Sequence, residues 1–139
     1  MRQALHRFFV ETEGQGLVEI TEPIKRWVGE QRIATGLLTL FCRHTSASLL
    51  IQENADPDVR ADLEAFLRRI APEEPGRYRH KTEGADDMPA HLRAALTQTQ
   101  LGIPIAAGEL VLGTWQGIYL FEHRSAAQRR EIALHVIGE

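Results

Sequence analysis

The segment GTWQGIYLFEHR, residues 113–124, constrains the fold more than any other part of the chain. Its two glycines, with a Trp and a Gln, predict a tight turn that leads directly into a strongly apolar strand. The strand then ends in Glu122, His123 and Arg124. A fold needs the glycines and the apolar residues, but it does not need three successive ionisable groups at a strand end. The segment therefore predicts a strand that ends at a functional site.

Length and composition predict one domain, residues 1–139, with an ordinary apolar core. The chain has 16 basic and 19 acidic residues, a net charge of −3, which argues against nucleic acid or an anionic membrane as the main partner. Cys42 is the single cysteine and cannot form an internal disulfide, so a reducing compartment is expected. No apolar signal segment follows Met1, and no apolar run is long enough to span a membrane. A cytoplasmic protein is expected.

Apolar patterns predict strands near both ends of the chain, beginning with residues 4–12 and 17–20. Thr21 is expected to be the N-cap of a short helix with Pro23 in its first turn. The almost continuously apolar run 33–42 predicts a strand that is buried on both faces. Further strands are predicted at residues 48–53, 101–106, 109–113, 117–123 and 129–137.

Two further helices are predicted between the strands. Asp56 is expected to cap the first, whose apolar residues Val59, Leu63, Phe66, Leu67 and Ile70 recur at helical spacing. Residues 71–86 are polar and predict a long loop, and a helix from about Met88 to Thr97 follows it. Together these elements predict an α+β fold, a single compact domain with mainly antiparallel sheet and two to three helices. A doubly wound nucleotide-binding fold is excluded because no β-α-β unit carries a glycine-rich phosphate loop.

Two polar groups lie beside the predicted strand 48–53. His44, Thr45 and Ser46 follow a buried strand and offer an imidazole and hydroxyls to a phosphate or a metal, although such a turn can also serve only its own backbone. Glu53 ends the strand and is a candidate because it has no capping duty, whereas Asp56 is better explained as a cap.

Asp87 and His91 form the strongest local pattern. They are four residues apart, so a helix places both on one face, at a spacing that can chelate a divalent cation. The alternative is that Asp87 caps the helix and His91 is its hydrogen-bonded neighbour. Glu83, Asp86 and His80 lie close by in the sequence, and this density of like charges favours a site with a cation or a basic group.

The segment 113–124 offers further candidates. Gln116 lies in its turn, and alternation places Glu122 and Arg124 on one face of the strand and His123 on the other. Arg124 suits a bidentate phosphate contact, and pairing with Glu122 is the alternative. Trp115 is interpreted as a packing residue, and Cys42 as a small buried apolar residue.

Four blocks of the sequence resemble the YjbQ-type family, which carries the label secondary thiamine-phosphate synthase. The resemblance implies an α+β fold, a homotrimer and a polar pocket for a metal or an anion. By this resemblance His44, Asp87 and His91 are expected to contact the metal or phosphate, supported by Glu53, Gln116, Glu122 and His123. The expected catalytic residues are His44, Glu53, His91, Glu122 and His123. The blocks are HTSASL at 44–49, ENADPDVRADLEAFL at 53–67, EGADDMPAHLRAAL at 83–96 and GTWQGIYLFEHR at 113–124.

The implied reaction joins hydroxymethylpyrimidine diphosphate to a thiazole phosphate and releases pyrophosphate. A small phosphorylated metabolite is then the partner, bound by Thr45, Ser46, Gln116 and Arg124, with a divalent metal, Mg²⁺ or Zn²⁺-like, as cofactor. The alternatives are a metal-dependent hydrolase of a small phosphorylated or amide metabolite and a non-enzymatic trimeric module that binds a metal or an anion. If the chain is trimeric, the pocket is hypothesised to lie where two subunits meet.

Overall fold

Two antiparallel sheets and three helices make up the computed structural model, which describes residues 1–139. The predicted α+β class with mainly antiparallel sheet is thereby confirmed. In chain order the elements are β1 (Arg2–Glu11), β2 (Gly16–Glu19), α1 (Thr21–Gln31), β3 (Gly36–Cys42), β4 (Ala47–Glu53), α2 (Pro57–Ile70), α3 (Asp87–Leu96), β5 (Gln100–Ala106), β6 (Glu109–Leu110), β7 (Gln116–Glu122) and β8 (Arg129–Gly138).

The five-stranded sheet has the order β1-β8-β3-β5-β6, and the three-stranded sheet has the order β2-β7-β4. Strand β8 shows how the sequence builds the larger sheet. Its residues alternate, so that Ile132, Leu134 and Val136 are fully buried while the residues between them are only partly covered. A core of 17 buried residues, drawn from both sheets and from α1, is the result.

The prediction that the run 33–42 is buried on both faces was wrong. Leu38, Leu40 and Cys42 of β3 are buried, but Leu37 and Phe41 on the opposite face are 42% and 46% exposed. Apolar content alone does not show whether another element covers a strand, and within one chain nothing packs over this outer face of the larger sheet.

Helix α1 begins where it was expected, but Thr21 is not its N-cap. The cap position is Ile20, which makes no side-chain capping bond. The Thr21 hydroxyl instead accepts a hydrogen bond from the backbone N–H of Ile118 at 2.8 Å and donates to Glu19. The hydroxyl thus joins the helix to β7, a long-range contact that a local capping pattern does not reveal.

Helix α2 confirms the predicted cap, since Asp56 Oδ1 accepts the N–H of Asp58 at 2.9 Å. Its apolar stripe is less buried than helical spacing indicates. Leu67 is buried, whereas Phe66 and Ile70 are 49% and 45% exposed, because α2 packs mainly against the short strand β2. The predicted stripe therefore covers only a small part of the core.

Strands β4 and β7 position most of the predicted site residues. Ala47 pairs with Glu122 at one end of this ladder, and Glu53 pairs with Gln116 at the other. Six residue steps separate the two ends, which places them about 20 Å apart. No helix in the structure has the length and apolar character needed to cross a bilayer.

Candidate functional site

Four metal-ligand side chains meet at the start of α3. Asp87 is the first residue of this helix, and His91 lies one turn later on the same face. The loop before the helix contributes His80 and Glu83. One ligand atom from each of the four residues lies within 4.8 Å of those of the other three. The i, i+4 pattern of Asp87 and His91 therefore lies within a larger cluster.

Asp87 is the centre of this cluster and is 1% exposed. Its Oδ2 lies 2.7 Å from Nε2 of His80 and 3.0 Å from Nε2 of His91. Nδ1 of His91 donates to the backbone oxygen of Thr45 at 2.9 Å, because a carbonyl oxygen can only accept. In the neutral ring, Nε2 of His91 then directs its lone pair at a carboxylate. Such an arrangement needs a proton or a cation between the two atoms.

Arg124 holds the other side of the cluster. Its Nε donates to Asp86 Oδ2 and its Nη1 to Asp87 Oδ1, both at 2.8 Å, and its Nη2 donates to the backbone oxygen of Glu83 at 2.9 Å. Each of these nitrogens is therefore used within the chain, and the geometry does not leave the fork free for the expected phosphate contact. The guanidinium of Arg124 does not pair with Glu122. The hydrogen bond between these two residues is donated by the backbone N–H of Arg124 to the Glu122 carboxylate.

These contacts also set the charges. Burial opposes ionisation of Asp87, but the hydrogen bond with His80 and the charges of His91 and Arg124 outweigh it and hold the pKa of this carboxyl below its usual range. The same hydrogen bond raises the pKa of His80 above its ordinary value. The pKa of Asp86 is lowered chiefly by its hydrogen bond with Arg124. The contacts thus favour the ionised forms of Asp86 and Asp87.

The donor set fits a divalent metal ion. His80, Asp87, His91 and Glu83 supply two imidazole nitrogens and two carboxylate oxygens, and the backbone oxygen of Thr45 holds the His91 ring as carbonyls do behind metal-bound histidines. Ligands at about 2.1 Å around a tetrahedral zinc lie about 3.4 Å from one another. Three separations within the cluster are 2.7, 3.0 and 3.4 Å, and all four ligand atoms lie within 4.8 Å of one another, a range that includes this spacing. Two imidazoles favour a Zn²⁺-like ion over Mg²⁺.

His44 lies outside this cluster, although it was expected among the ligands. Its Nε2 accepts the backbone N–H of Glu131 at 2.7 Å, so this nitrogen has no lone pair left for a metal. Burial, followed by the charge of Arg130, lowers the pKa of the ring below its usual value. The cluster contains His80 instead, which belongs to the irregular loop and carries no spacing signal.

A cavity of about 790 Å³ adjoins the cluster and explains where His44 points. His91 belongs to both, so the metal-ligand cluster and the cavity share one wall. The lining consists of Phe41, Cys42, Arg43, His44, Thr45, Ser46, His91, Ala94, Ala95, Thr99 and Arg130. The structure therefore places Thr45 and Ser46 beside His44, as expected, and adds Arg130.

Glu122 is fully buried, so a ligand cannot reach it, although it was expected to be catalytic. Its contacts within the core point to a structural role. It forms an ion pair with Arg130, accepts a hydrogen bond from the Thr12 hydroxyl at 2.7 Å and accepts the backbone N–H of His123. Burial raises the pKa of Glu122, but its hydrogen bonds with Arg130 and Thr12 outweigh this and leave the pKa lowered. Arg130 carried no sequence signal, because it is one residue of an ordinary alternating strand.

His123 is likewise enclosed, at 1% exposure. Its Nε2 lies 2.9 Å from the hydroxyl of Ser48, and its ring packs against Phe121. Burial, with the charge of Arg93, lowers the pKa of His123 to about 3. A ring that stays neutral and enclosed does not exchange protons with a ligand, so the support expected from His123 is structural.

Glu53 and Gln116 are separated from the cluster by the length of the β4–β7 ladder. Glu53 Oε2 accepts the backbone N–H groups of Ala55 and Asp56, and Gln116 Oε1 accepts that of Gly113 at 2.7 Å. Both side chains thus serve local turns, and within one chain they do not reach the expected pocket. Trp115, expected to pack, is 61% exposed.

Comparison with known proteins is consistent with this fold. The profile of the family described as UPF0047 protein YjbQ-like matches residues 6–139. A UPF0047 protein of Synechocystis, sll1880, is 52% identical over 99% of this chain and 94% of its own length. The YjbQ protein of Escherichia coli O157:H7 is 41% identical over 94% of each chain.

Solved structures match equally completely. A crystal structure of an uncharacterised YjbQ/UPF0047 protein from Clostridium acetobutylicum superposes with a TM-score of 0.87 at 35% identity, covering 95% of this chain and 99% of the other. The hypothetical protein APE1520 of Aeropyrum pernix gives a TM-score of 0.89 at 28% identity, covering 98% and 99%. Sequence and fold therefore agree over almost the whole length, and the chain belongs to the UPF0047, YjbQ-like family.

Proposed function

We propose that the chain is a metal-assisted enzyme that acts on a small phosphorylated metabolite at the cluster of His80, Glu83, Asp87 and His91. The observation that carries the proposal is the Nε2 atom of His91. The hydrogen bond from Nδ1 to the Thr45 carbonyl fixes the ring with Nε2 3.0 Å from Asp87 Oδ2, and His91 is one of the residues that line the 790 Å³ cavity. A cluster without a cavity would suggest a structural site, whereas this one adjoins space for a small ligand.

The residues around the cluster have separate tasks. A divalent cation bound there would supply positive charge to offset the charge of a phosphate or diphosphate group. Asp87 and His91 would contribute ligand atoms to this cation. Arg124 orients the Asp87 carboxylate through a hydrogen bond to Oδ1, the oxygen that does not face the histidines. Asp86 in turn holds Arg124.

The reaction tested first is the one implied by the resemblance, the joining of hydroxymethylpyrimidine diphosphate to thiazole phosphate with release of pyrophosphate. One observation favours a second candidate, metal-dependent hydrolysis of a phosphorylated or amide metabolite. Two of the four ligand side chains are imidazoles, a set that suits Zn²⁺ better than the Mg²⁺ common in diphosphate chemistry.

Calorimetric titration of chelator-treated protein with ZnCl₂, MnCl₂ and MgCl₂ tests the metal site. We expect His80→Ala, Asp87→Asn and His91→Ala each to abolish tight binding, and His44→Ala and the distant His135→Ala to preserve it. Unchanged binding in the first three variants would refute the site.

Turnover is measured on the same preparations with the two thiamine precursors and with simple phosphate esters. Product that forms in the loaded protein and is lost in His91→Ala supports an enzyme, and the identity of the product separates condensation from hydrolysis. Metal binding without turnover of any of these compounds would leave the non-enzymatic metal- or anion-binding module as the function.

We also propose that the chain assembles as a homotrimer through the outer face of the larger sheet. Leu5, Phe9 and Leu37 pair across strands with residues of one face of β8 and are each at least 42% exposed. In a ring of three chains this face would pack against a different surface of the next copy, which would cover these residues. Light scattering should give the mass of three chains, and Leu5→Asp combined with Leu37→Asp should reduce it; the mass of one chain for the unchanged protein would contradict the proposal.

A further inference from the structure

We propose that the cavity beside His91 is a phosphomonoester pocket in which Arg130, His44 and Thr45 bind the phosphoryl oxygens and Phe41 contacts the organic body of the ligand. As an assignment of substrate class, this rests on the proposed function. The anion pocket itself is built from other side chains than the metal-ligand cluster, and it can be tested without metal.

The lining of the cavity is rich in hydrogen-bond donors and contains no carboxylate. Two arginines, two histidines and three hydroxyl side chains belong to it. The carboxylates that pair with its arginines, Glu122 and Glu131, are not part of the lining. A wall of this kind offers an anion several hydrogen-bond donors.

Arg130 is the strongest of these donors because the core holds it in place. It is 5% exposed, its Nε donates to Glu122 Oε1 at 2.8 Å, and its Nη2 donates to Glu122 and to Ser46 Oγ at 3.1 Å. Its Nη1 makes no hydrogen bond within the chain, and the residue lines the cavity. The guanidinium thus has one N–H group pair left for a ligand.

His44 adds a second donor. Since its Nε2 accepts the Glu131 N–H, the proton of the neutral ring is on Nδ1, which has no partner within the chain. The lowered pKa of His44 is consistent with a neutral ring. Thr45 contributes its hydroxyl, because only its backbone oxygen is used, by His91.

The apolar residues of the lining indicate what kind of organic body the ligand has. Phe41, Ala94 and Ala95 give the cavity an apolar side, and its volume is in the range of small-molecule sites. Donors from three separate side chains suit the three terminal oxygens of a phosphomonoester better than the two oxygens of a carboxylate. The pocket therefore fits a small phosphate ester with an apolar, ring-sized body.

Calorimetry or NMR titration with phenyl phosphate, inorganic phosphate, benzoate and phenol tests the pocket in protein treated with EDTA. We expect phenyl phosphate to bind most tightly. His44→Leu and Thr45→Val should each weaken it by about tenfold, since each removes one hydrogen bond to a charged group. Arg130→Lys retains a charge for Glu122 but loses the free N–H groups, and it should weaken binding further. The matched controls Thr114→Val and Arg129→Lys, on exposed residues elsewhere, should bind normally.

Unchanged affinity in both His44→Leu and Thr45→Val would overturn the pocket, as would binding of phenyl phosphate only after metal is added. The outcome for the metal site is independent. His80→Ala should lose metal binding but leave metal-free binding of phenyl phosphate unchanged. If the unchanged protein binds phenyl phosphate but no metal, the proposed function is refuted and the pocket is supported.

Discussion

The backbone oxygen of Thr45 and Nδ1 of His91 are joined by a 2.9 Å hydrogen bond, although the two residues are 46 positions apart in the chain. This bond connects the turn after β3, which forms one wall of the cavity, to the helix that carries the metal-ligand cluster. The orientation of His91 therefore depends on the conformation of the cavity wall.

A first prediction concerns coupling between the two sites. Because His91 contacts both, a cation at the cluster and a phosphate in the cavity should attract each other and strengthen each other's binding by an equal factor, between about 5-fold and 150-fold. Calorimetry of phenyl phosphate with and without Zn²⁺, and of Zn²⁺ with and without phenyl phosphate, measures both directions. If the affinity for phenyl phosphate does not change with Zn²⁺, and the affinity for Zn²⁺ does not change with phenyl phosphate, the two sites are independent.

Arg124→Lys should weaken metal binding while preserving the local charge. Lysine cannot donate to Asp86, Asp87 and the Glu83 carbonyl at once, so Asp87 loses its fixed orientation. We expect a loss of metal affinity of about 10-fold to 100-fold. Arg129→Lys, on an exposed residue of β8 in the other sheet, is the control and should bind metal normally.

Glu122→Gln should be strongly destabilising, although Glu122 itself does not line the cavity. The substitution leaves Arg130 as a buried charge without its partner, which typically costs about 3–5 kcal/mol of unfolding free energy. Urea denaturation measures the effect, and Glu109→Gln on an exposed carboxylate should change stability by less than about 0.5 kcal/mol. A small effect at residue 122 would mean that Arg130 finds another partner.

His123 should make the fold sensitive to mild acid. Its pKa is about 3 in the folded chain and near the ordinary value of 6.5 when unfolded, so the unfolded state binds more protons between these values. The contribution to stability is complete above pH 6.5 and falls as the pH decreases, by about 2 kcal/mol at pH 5. His44 also has a lowered pKa and contributes to the same loss of stability in acid. The contribution of His123 alone is the difference between the unfolding free energies of the unchanged protein and of His123→Asn, measured as a function of pH.

Direct NMR titration of the His123 ring provides a second measurement that does not depend on a variant. The ring signals should not shift between pH 8 and pH 5. A midpoint near pH 6.5 would contradict the burial argument.

Gly36 and Gly29 form a matched pair for the backbone. A Cβ at Gly36 would lie 2.3 Å from the carbonyl oxygen of Ile137 on the adjacent strand, whereas a Cβ at Gly29 on α1 meets nothing within 4 Å. Gly36→Ala should therefore lower the melting temperature by forcing β3 and β8 apart. Gly29→Ala should raise stability by up to about 1 kcal/mol, through helix propensity. A neutral Gly36→Ala would show that the strands can shift to accommodate the methyl group.

Local patterns predicted the elements and the cap at Asp56, because helix spacing and capping depend on neighbouring residues only. The same patterns failed at Thr21 and on the outer face of β3, where the deciding contact is with a distant strand or with no element of the chain at all. Periodicity records which residues are apolar and not what covers them.

The candidate site divides in the same way. Asp87 and His91 were predictable because one helical turn brings them together. His80 comes from an irregular loop with no period, and Arg130 reaches the cavity only because two sheets place it against Glu122. His44 lines the same cavity as His91 but is not part of the metal-ligand cluster, and its Nε2 accepts the backbone N–H of Glu131.

The anchoring of Arg130 in the core has a consequence for the entropy cost of binding a ligand. A flexible surface arginine must lose conformational freedom each time it meets an anion, whereas this guanidinium is already immobilised by Glu122 and Ser46 before the encounter. Recognition then spends little entropy on the protein side.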